Sequence, residues 1–137
     1  MGHGTFATVI DCIDGRTKQA VIAWMQSAAQ ADFVDMITEP GPEKVLTQGT
    51  PAFLEDIKRQ VRISMEAHHS QCLGIVAHAE CAGNPVSDEQ HQQQVRQSVE
   101  VVAAWGLPLR IIGLWVNHDW QVEKLCEVQP NQAQLSA

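Results

Sequence analysis

The sequence has few basic and few aromatic residues. Its 137 residues include nine lysines and arginines against sixteen acidic residues, with three phenylalanines, four tryptophans and no tyrosine. The formal net charge of −7 argues against a nucleic-acid groove, because phosphate binding needs clustered basic side chains. No apolar run reaches the roughly 18 residues of a membrane span, and the N-terminus lacks the pattern of a secretory signal. We therefore expect a cytoplasmic protein without nucleic-acid or membrane partners.

Cysteine is also scarce, and its few positions are far apart. The sequence has four, at Cys12, Cys72, Cys81 and Cys126. In a reducing compartment such spacing does not form a disulfide framework. These residues are core thiols, metal ligands or reactive groups, and composition alone leaves the three alternatives open. Thiol redox chemistry is the weakest of them, because the sequence contains no C-x-x-C pair.

In other respects the composition is that of a globular domain. Apolar residues make up 45% of the chain and charged residues 18%. A chain of this length can bury a core without disulfides or metal. We expect a single domain over residues 1–137, with a core over about residues 5–125 and a loose polar tail over residues 129–137.

Short apolar segments alternate with amphipathic ones along the chain. Strands are predicted over residues 5–11, 31–38, 72–78 and 109–116, and helices over residues 17–30, 50–68 and 87–105. Residues 39–49 open with Glu39-Pro40-Gly41-Pro42 and are predicted to form a loop. The alternation predicts an α/β fold in which a mainly parallel sheet of about four strands carries helices on both faces.

Residues capable of chemistry follow two of the predicted strands. Cys12 comes directly after the first strand, His78 ends the third, and Cys81 lies three residues further on. In an open parallel sheet, ligands bind beyond the carboxyl ends of the strands, where strand order reverses. If the two strands are neighbours, these side chains converge. Two thiolates with one imidazole form a Zn²⁺ ligand set that leaves a fourth position open.

Asp14 and Arg16 follow closely after Cys12 and add a carboxylate and a guanidinium. The carboxylate can hydrogen-bond a metal-bound water or bind the metal itself, and the guanidinium can hold it by forked hydrogen bonds. Taken one at a time, these residues have ordinary structural explanations: a buried thiol, a core histidine and an ion pair within a turn. Taken together at the ends of two strands, they favour a metal site.

The two motifs resemble those of the β-class carbonic anhydrases. Residues 12–16, CIDGR, are similar to the family's C-x-D-x-R after its first strand, and residues 78–81, HAEC, to its H-x-x-C. The apolar segments 73–78 and 112–116 are similar to core strands of the family, so the resemblance covers roughly residues 5–125. Gly15, Ala77 and Ala82 depart from the residues common in the family and mark a small, divergent branch.

The resemblance implies a zinc lyase, a carbonate dehydratase that hydrates CO2 reversibly to bicarbonate by a zinc-bound hydroxide. It implies that Cys12, His78 and Cys81 bind Zn²⁺, that Asp14 and Arg16 form the catalytic dyad, and that the chain forms a homodimer or a higher homo-oligomer. Two alternatives use the same ligands: a hydrolase of a CO2-like substrate, COS or CS2, and a zinc-binding protein of this fold without catalytic activity.

Histidine and tryptophan outside these motifs carry weaker indications. His118, shortly after the last predicted strand, is a candidate proton shuttle, although a surface-loop histidine is the commoner case. Cys72 is predicted to be a core residue. The four tryptophans are typical of core or interface positions: Trp24, Trp105, Trp115 and Trp120.

Overall fold

The structure is a computed structural model that describes residues 4–130. Its elements are, in chain order, β1 (Phe6–Cys12), α1 (Lys18–Ala29), β2 (Phe33–Glu39), α2 (Pro42–Gln48), α3 (Pro51–His68), β3 (Cys72–His78), α4 (Asp88–Ala103), β4 (Arg110–Val116) and β5 (Val122–Val128). A 3-10 turn, Gly15–Thr17, joins β1 to α1. The predicted polar tail lies outside the described residues from position 131 onward. Within residues 4–130, no helix combines the length and the apolar character needed to cross a membrane.

The strands form one sheet in the order β2-β1-β3-β4-β5. β1 pairs in parallel with both β2 and β3, β3 pairs in parallel with β4, and β5 is antiparallel to β4. The chain moves from β1 to one side for β2 and to the other side for β3, so strand order reverses between β1 and β3. The predicted α/β class with a mainly parallel sheet is confirmed.

Helices cover both faces of the sheet, as predicted. α2, α3 and α4 pack on the face that carries Ile10, Leu73 and Ile75, whereas α1 packs on the opposite face against Val9 and Val76. Successive residues of a strand point to opposite faces, so these continuous apolar runs supply both layers. Each of these side chains is fully buried, which contributes about 1.5–3 kcal/mol per residue.

The segment that was predicted to be a loop, residues 39–49, contains the short helix α2. Pro42 occupies the first turn, where a backbone N–H has no helical partner to lose. The prediction was wrong because the residues that indicated a break stand at the start of a helix. α2 is tied to α4 by a contact of 2.6 Å between Oε2 of Glu43 and Nδ1 of His91, both buried.

The sheet has a fifth strand, β5, that the sequence analysis did not predict. Its residues, VEKLCEV, mix apolar and charged side chains and are all partly or largely exposed. An antiparallel edge strand needs only one covered face, so it lacks the continuous apolar run by which the buried strands were identified. The predicted count of about four strands therefore omitted one edge of the sheet.

α4 starts with a capping box formed by Ser87 and Gln90, a pattern of residue types that is visible in the sequence. Ser87 Oγ accepts from the backbone N–H of Gln90 at 3.2 Å, and Gln90 Oε1 accepts from the backbone N–H of Ser87 at 3.2 Å. These bonds satisfy two N–H groups that a helix start leaves free. They also end the loop that carries Cys81.

Candidate metal centre

Three side chains meet at the carboxyl ends of β1 and β3. Cys12 is the last residue of β1, His78 is the last residue of β3, and Cys81 follows in the turn after β3. Their ligand atoms all lie within 4.8 Å of one another, and all three residues are buried. The two sulfur atoms are 3.9 Å apart. The structure thus brings together the three residues that the sequence analysis assigned to a metal.

The turn after β3 brings Cys81 back toward Cys12. The backbone N–H of Ala79 still donates to the carbonyl of Val116 at 3.0 Å, and Glu80 then adopts a φ of 60°, which reverses the chain. The same loop packs closely on Gly41, where an added Cβ would lie 2.8 Å from Cβ of Asn84. Glycine at position 41 is required by this contact and by its φ of 63°.

The two cysteines of the cluster behave as a coupled pair. The pKa of Cys12 is lowered to about 3, chiefly because the thiol of Cys81 donates a hydrogen bond to its thiolate, with further N–H donors from the backbone of Gly41 and Asp14, although burial opposes this. The same contact raises the pKa of Cys81, because a second thiolate beside the first is unfavourable. A divalent cation would displace the remaining proton and bind both sulfurs.

His78 presents one ring nitrogen to this cluster. Its Nδ1 lies 2.7 Å from the carbonyl oxygen of Ala79. A carbonyl only accepts, so Nδ1 carries the proton and Nε2 has a lone pair. Nε2 is buried and has no hydrogen-bond partner among residues 4–130, which costs about 1–3 kcal/mol for an acceptor of this kind. A metal ion held with the two sulfurs would remove this cost, so the donor set fits Zn²⁺.

Asp14 and Arg16 form a forked ion pair beside the cluster. Arg16 Nη2 donates to Asp14 Oδ2 at 2.7 Å, and Arg16 Nε donates to Asp14 Oδ1 at 3.1 Å. The backbone N–H of Arg16 also donates to Oδ1 at 2.9 Å, so Asp14 caps the 3-10 turn. The hydrogen bonds from Arg16 lower the pKa of Asp14 to about 2, and the carboxylate is ionised at neutral pH. Its Oδ2 lies 3.9 Å from Nε2 of His78.

Trp120, in the turn between β4 and β5, packs against the guanidinium of Arg16. The guanidinium carbon of Arg16 lies 4.5 Å from the centre of the indole ring, and the rings of Trp120 and His78 are 6.2 Å apart. A cation over an aromatic face is attracted by the ring electrons. The sequence analysis named Trp120 only as a core or interface tryptophan. Its contact with Arg16 was missed because β5 was not predicted, and without β5 nothing indicated that the chain turns back here.

Two charged residues next to the Cys12–Arg16 segment were also missed. Asp11 of β1 is completely buried, and its Oδ2 accepts from Lys18 Nζ of α1 at 2.9 Å. The sequence did contain an indication of this pair, a carboxylate at the end of an otherwise apolar strand. Aspartate is rarely buried without a partner, so a nearby cation could have been expected. A basic residue two positions after the C-x-D-x-R motif could have suggested that partner.

Two other residues singled out from the sequence, Cys72 and His118, form no part of this cluster. Cys72 begins β3, at the opposite end of that strand from His78, and burial raises the pKa of its thiol to about 11. The prediction that it is a core residue is confirmed. His118 is exposed, and its Nε2 lies 2.8 Å from Oδ2 of Asp88 at the start of α4.

The geometry agrees with what comparisons with known proteins show. A family model described as "Putative carbonic anhydrase" matches residues 2–126. The chain belongs to this carbonic anhydrase family. The resemblance that the two motifs indicated is therefore confirmed at the level of the family. A comparison with curated proteins found no match.

Solved structures show the same fold for this carbonic anhydrase family member. One is similar to it with a TM-score of 0.62 at 12% identity, over 93% of this chain and 84% of the other, and comes from work on two tetrameric β-carbonic anhydrases of the filamentous ascomycete Sordaria macrospora. Another, β-carbonic anhydrase isoform I of the protozoan Trichomonas vaginalis, gives a TM-score of 0.58 at 14% identity, over 90% and 83% of the two chains. At such identities the likeness concerns the fold.

Proposed function

We propose that the chain is a zinc-dependent carbonic anhydrase, a lyase that hydrates CO2 reversibly to bicarbonate. The observation that carries the proposal is the buried Cys12–His78–Cys81 cluster with the carboxylate of Asp14, held by Arg16, at its edge. Membership of the carbonic anhydrase family supports the same reaction. Zinc is the metal that two thiolates and one imidazole suit best.

In this proposal the two sulfurs of Cys12 and Cys81 and Nε2 of His78 would hold the metal. When bound, Zn²⁺ lowers the pKa of a coordinated water to around 7 and so supplies hydroxide near neutral pH. The hydrogen bond from His78 Nδ1 to the carbonyl of Ala79 orients the ring and keeps Nε2 available. The backbone N–H groups of Gly41 and Asp14 stabilise the negative charge of the Cys12 sulfur.

Asp14 is proposed to accept a hydrogen bond from the attacking water and so orient it toward CO2. Its low pKa keeps the carboxylate ionised, and Arg16 contacts both of its oxygens and restricts their movement. The indole of Trp120 limits the position of the guanidinium in turn. A purely structural zinc site needs no such ion pair, so the dyad favours an enzyme over a non-catalytic zinc-binding protein.

We also propose that the chain is a single domain that acts in the cytoplasm as a homodimer or a higher homo-oligomer. The similar Sordaria macrospora proteins are described as tetrameric. This chain exposes large apolar side chains on both edge strands, Phe33 of β2 and Val128 of β5. A reducing cytoplasm keeps cysteines as thiols able to bind zinc, and Cys12, Cys72, Cys81 and Cys126 are all free.

Stopped-flow CO2 hydration combined with elemental analysis tests this function. We expect stoichiometric zinc in the parent and hydration that increases with pH between about 6 and 9, the range around the pKa of zinc-coordinated water. Cys81→Ser removes a proposed ligand and should lose most of the zinc and the activity, whereas Cys126→Ser, in the edge strand β5, should keep both.

Two results would contradict the proposal in different ways. A folded, zinc-loaded parent that does not hydrate CO2 anywhere in this pH range would move the assignment to COS or CS2 hydrolysis, and then to a zinc-binding protein without catalysis. A Cys81→Ser variant that retains full zinc would contradict the ligand set itself.

A further inference from the structure

The segment between β1 and α1 carries one proposed metal ligand and the whole proposed dyad. It starts at Cys12, the last residue of β1, and ends at Lys18, the first residue of α1. Its regular structure is limited to the 3-10 turn Gly15–Thr17. Because most of this connection lacks the regular backbone hydrogen bonds of a helix or strand, other hydrogen bonds must hold its backbone in one position.

Lys18 makes such contacts by folding its side chain back over the segment. Its Nζ donates to the backbone carbonyls of Cys12 and of Asp14, the latter at 3.0 Å. It also donates to Oδ2 of Asp11 at 2.9 Å and lies 3.1 Å from Oγ1 of Thr17. The two carbonyls belong to the residue that carries the proposed ligand sulfur and the residue that carries the proposed dyad carboxylate.

Asp11 completes the arrangement from the end of β1. Its buried Oδ1 accepts from the backbone N–H of Cys12 at 2.8 Å, and its Oδ2 accepts from Thr17 Oγ1 at 2.7 Å as well as from Lys18. Both backbone polar groups of Cys12 are therefore bound by the Asp11–Lys18 pair. A buried carboxylate is unfavourable without a cation, so the two charges depend on each other.

We propose that Lys18, neutralised by Asp11, is a positioning residue that holds the Cys12–Arg16 segment in the geometry needed for metal binding. The inference rests on the proposed function, because it assumes a metal at the Cys12–His78–Cys81 cluster. Lys18 acts through the backbone of Cys12 and Asp14, without bonding to the sulfur or to the carboxylate of the dyad. Losing a contact that orients a ligand typically weakens metal binding by about 10- to 100-fold.

The test measures metal binding without any catalytic assay. Zn²⁺ affinity is measured by competition with a chelator, and the absorption spectrum of the Co²⁺-loaded protein reports the ligand geometry. We expect Lys18→Met to bind Zn²⁺ at least about 10-fold more weakly than the parent and to change the Co²⁺ bands. Lys44→Met, which removes an exposed lysine of α2, should match the parent in both measurements.

Two further variants keep the test decisive if Lys18→Met does not fold. Asp11→Asn/Lys18→Met removes both charges and should fold but bind Zn²⁺ weakly. Lys18→Arg keeps the charge, yet a planar guanidinium cannot converge on the same acceptors, so it should not restore the parental affinity.

The inference is overturned by a folded single or double variant with parental Zn²⁺ affinity and an unchanged Co²⁺ spectrum. A double variant that fails to fold overturns it too, because the pair then serves the fold as a whole, and so does a fully restored Lys18→Arg, because charge alone then suffices. A parent that binds Zn²⁺ tightly but does not hydrate CO2 contradicts only the proposed function.

Discussion

Among single residues, neighbours decide which side chains are available for chemistry. Cys12 and Cys72 are both buried thiols, yet the pKa of Cys12 is lowered to about 3 by the hydrogen bond from Cys81, whereas burial raises that of Cys72 to about 11. The histidines differ in the same way. His78 donates a hydrogen bond from Nδ1 to a backbone carbonyl, and its buried Nε2 makes no hydrogen bond to residues 4–130. His91, in contrast, contacts the carboxylate of Glu43 through Nδ1.

The Asp14→Asn variant tests whether the side chain of Asp14 takes part in catalysis or only occupies space beside the proposed metal. The three proposed ligands remain, so we expect nearly stoichiometric zinc. The amide keeps the shape of the side chain but loses the charged acceptor, and CO2 hydration should fall by roughly two orders of magnitude or more. Elemental analysis and stopped-flow assays measure the two effects. Asp56→Asn, which removes an exposed ion pair with Arg59 on α3, is the control and should match the parent. Unchanged hydration in Asp14→Asn would contradict the proposed role.

Among the elements, β5 pairs with β4 along one edge of the sheet and is also held at one end by charged side chains. Arg110, the first residue of β4, donates through Nε and Nη2 to the two carboxylate oxygens of Glu127 in β5, at 2.7 and 3.1 Å. Its Nη1 donates to the carbonyl of Ala28 near the end of α1 at 3.2 Å. One guanidinium thus connects two strands and a helix. These contacts, from Arg110 first and then Lys124, lower the pKa of Glu127 to about 2.

The lowered pKa makes the contribution of Glu127 to stability depend on pH in one direction. A carboxyl group whose pKa is lowered by folding stabilises the protein above its ordinary pKa of about 4.5, and this stabilisation is lost as the pH falls toward about 2. We expect Glu127→Gln to lower the free energy of unfolding by about 1 kcal/mol at neutral pH, and by progressively less between about pH 4.5 and 2.

Chemical denaturation of the parent and the variant at several pH values measures this difference. Glu123→Gln is the matched control, since Glu123 lies in the same strand but bonds to the amide of Asn117 instead of a cation. A difference between parent and Glu127→Gln that stays constant down to pH 2 would contradict the ion-pair explanation.

For the whole molecule, strand order determines where the Cys12–His78–Cys81 cluster lies and which strands remain at the edges of the sheet. The reversal of order between β1 and β3 places Cys12 next to His78 and leaves β2 and β5 at the two edges. Edge strands present unpaired backbone groups that can pair with another chain. Phe33 on β2 is 52% exposed and Val128 on β5 is 37% exposed, so both edges also carry apolar surface.

Sedimentation equilibrium measures whether these edges are covered by other copies of the chain. We expect a species at least twice the 15.1 kDa of one chain at micromolar concentration. Replacing an apolar edge residue by lysine, in Phe33→Lys and in Val128→Lys, should shift at least one of the two variants toward the monomer, because a charge at a covered edge is unfavourable. A parent that sediments only as the monomer at this concentration would contradict the proposed oligomer.

The amino-acid sequence alone was enough to predict the α/β class, four of the five strands and the two motifs of the candidate metal centre. These features depend on local patterns: continuous apolar runs for buried strands, the Ser87–Gln90 capping box, and candidate ligand residues placed at or shortly after strand ends. Where local signals were ambiguous the interpretation was incomplete. Gly41 and Pro42 were interpreted as a break, although they stand at the start of α2. The charged residues of β5 did not match the continuous apolar pattern by which the other strands were predicted.

The residues that meet in space could be identified only from the three-dimensional structure. Cys12 and His78 are 66 positions apart, and they approach each other because β1 and β3 are parallel neighbours in the sheet. The partners of Asp11 and Trp120 were equally inaccessible to sequence reasoning: Lys18 reaches Asp11 by folding back from a helix, and Trp120 reaches Arg16 through a turn before an unpredicted strand. Contacts between distant residues depend on strand order and on packing of the whole chain, and local patterns do not encode either.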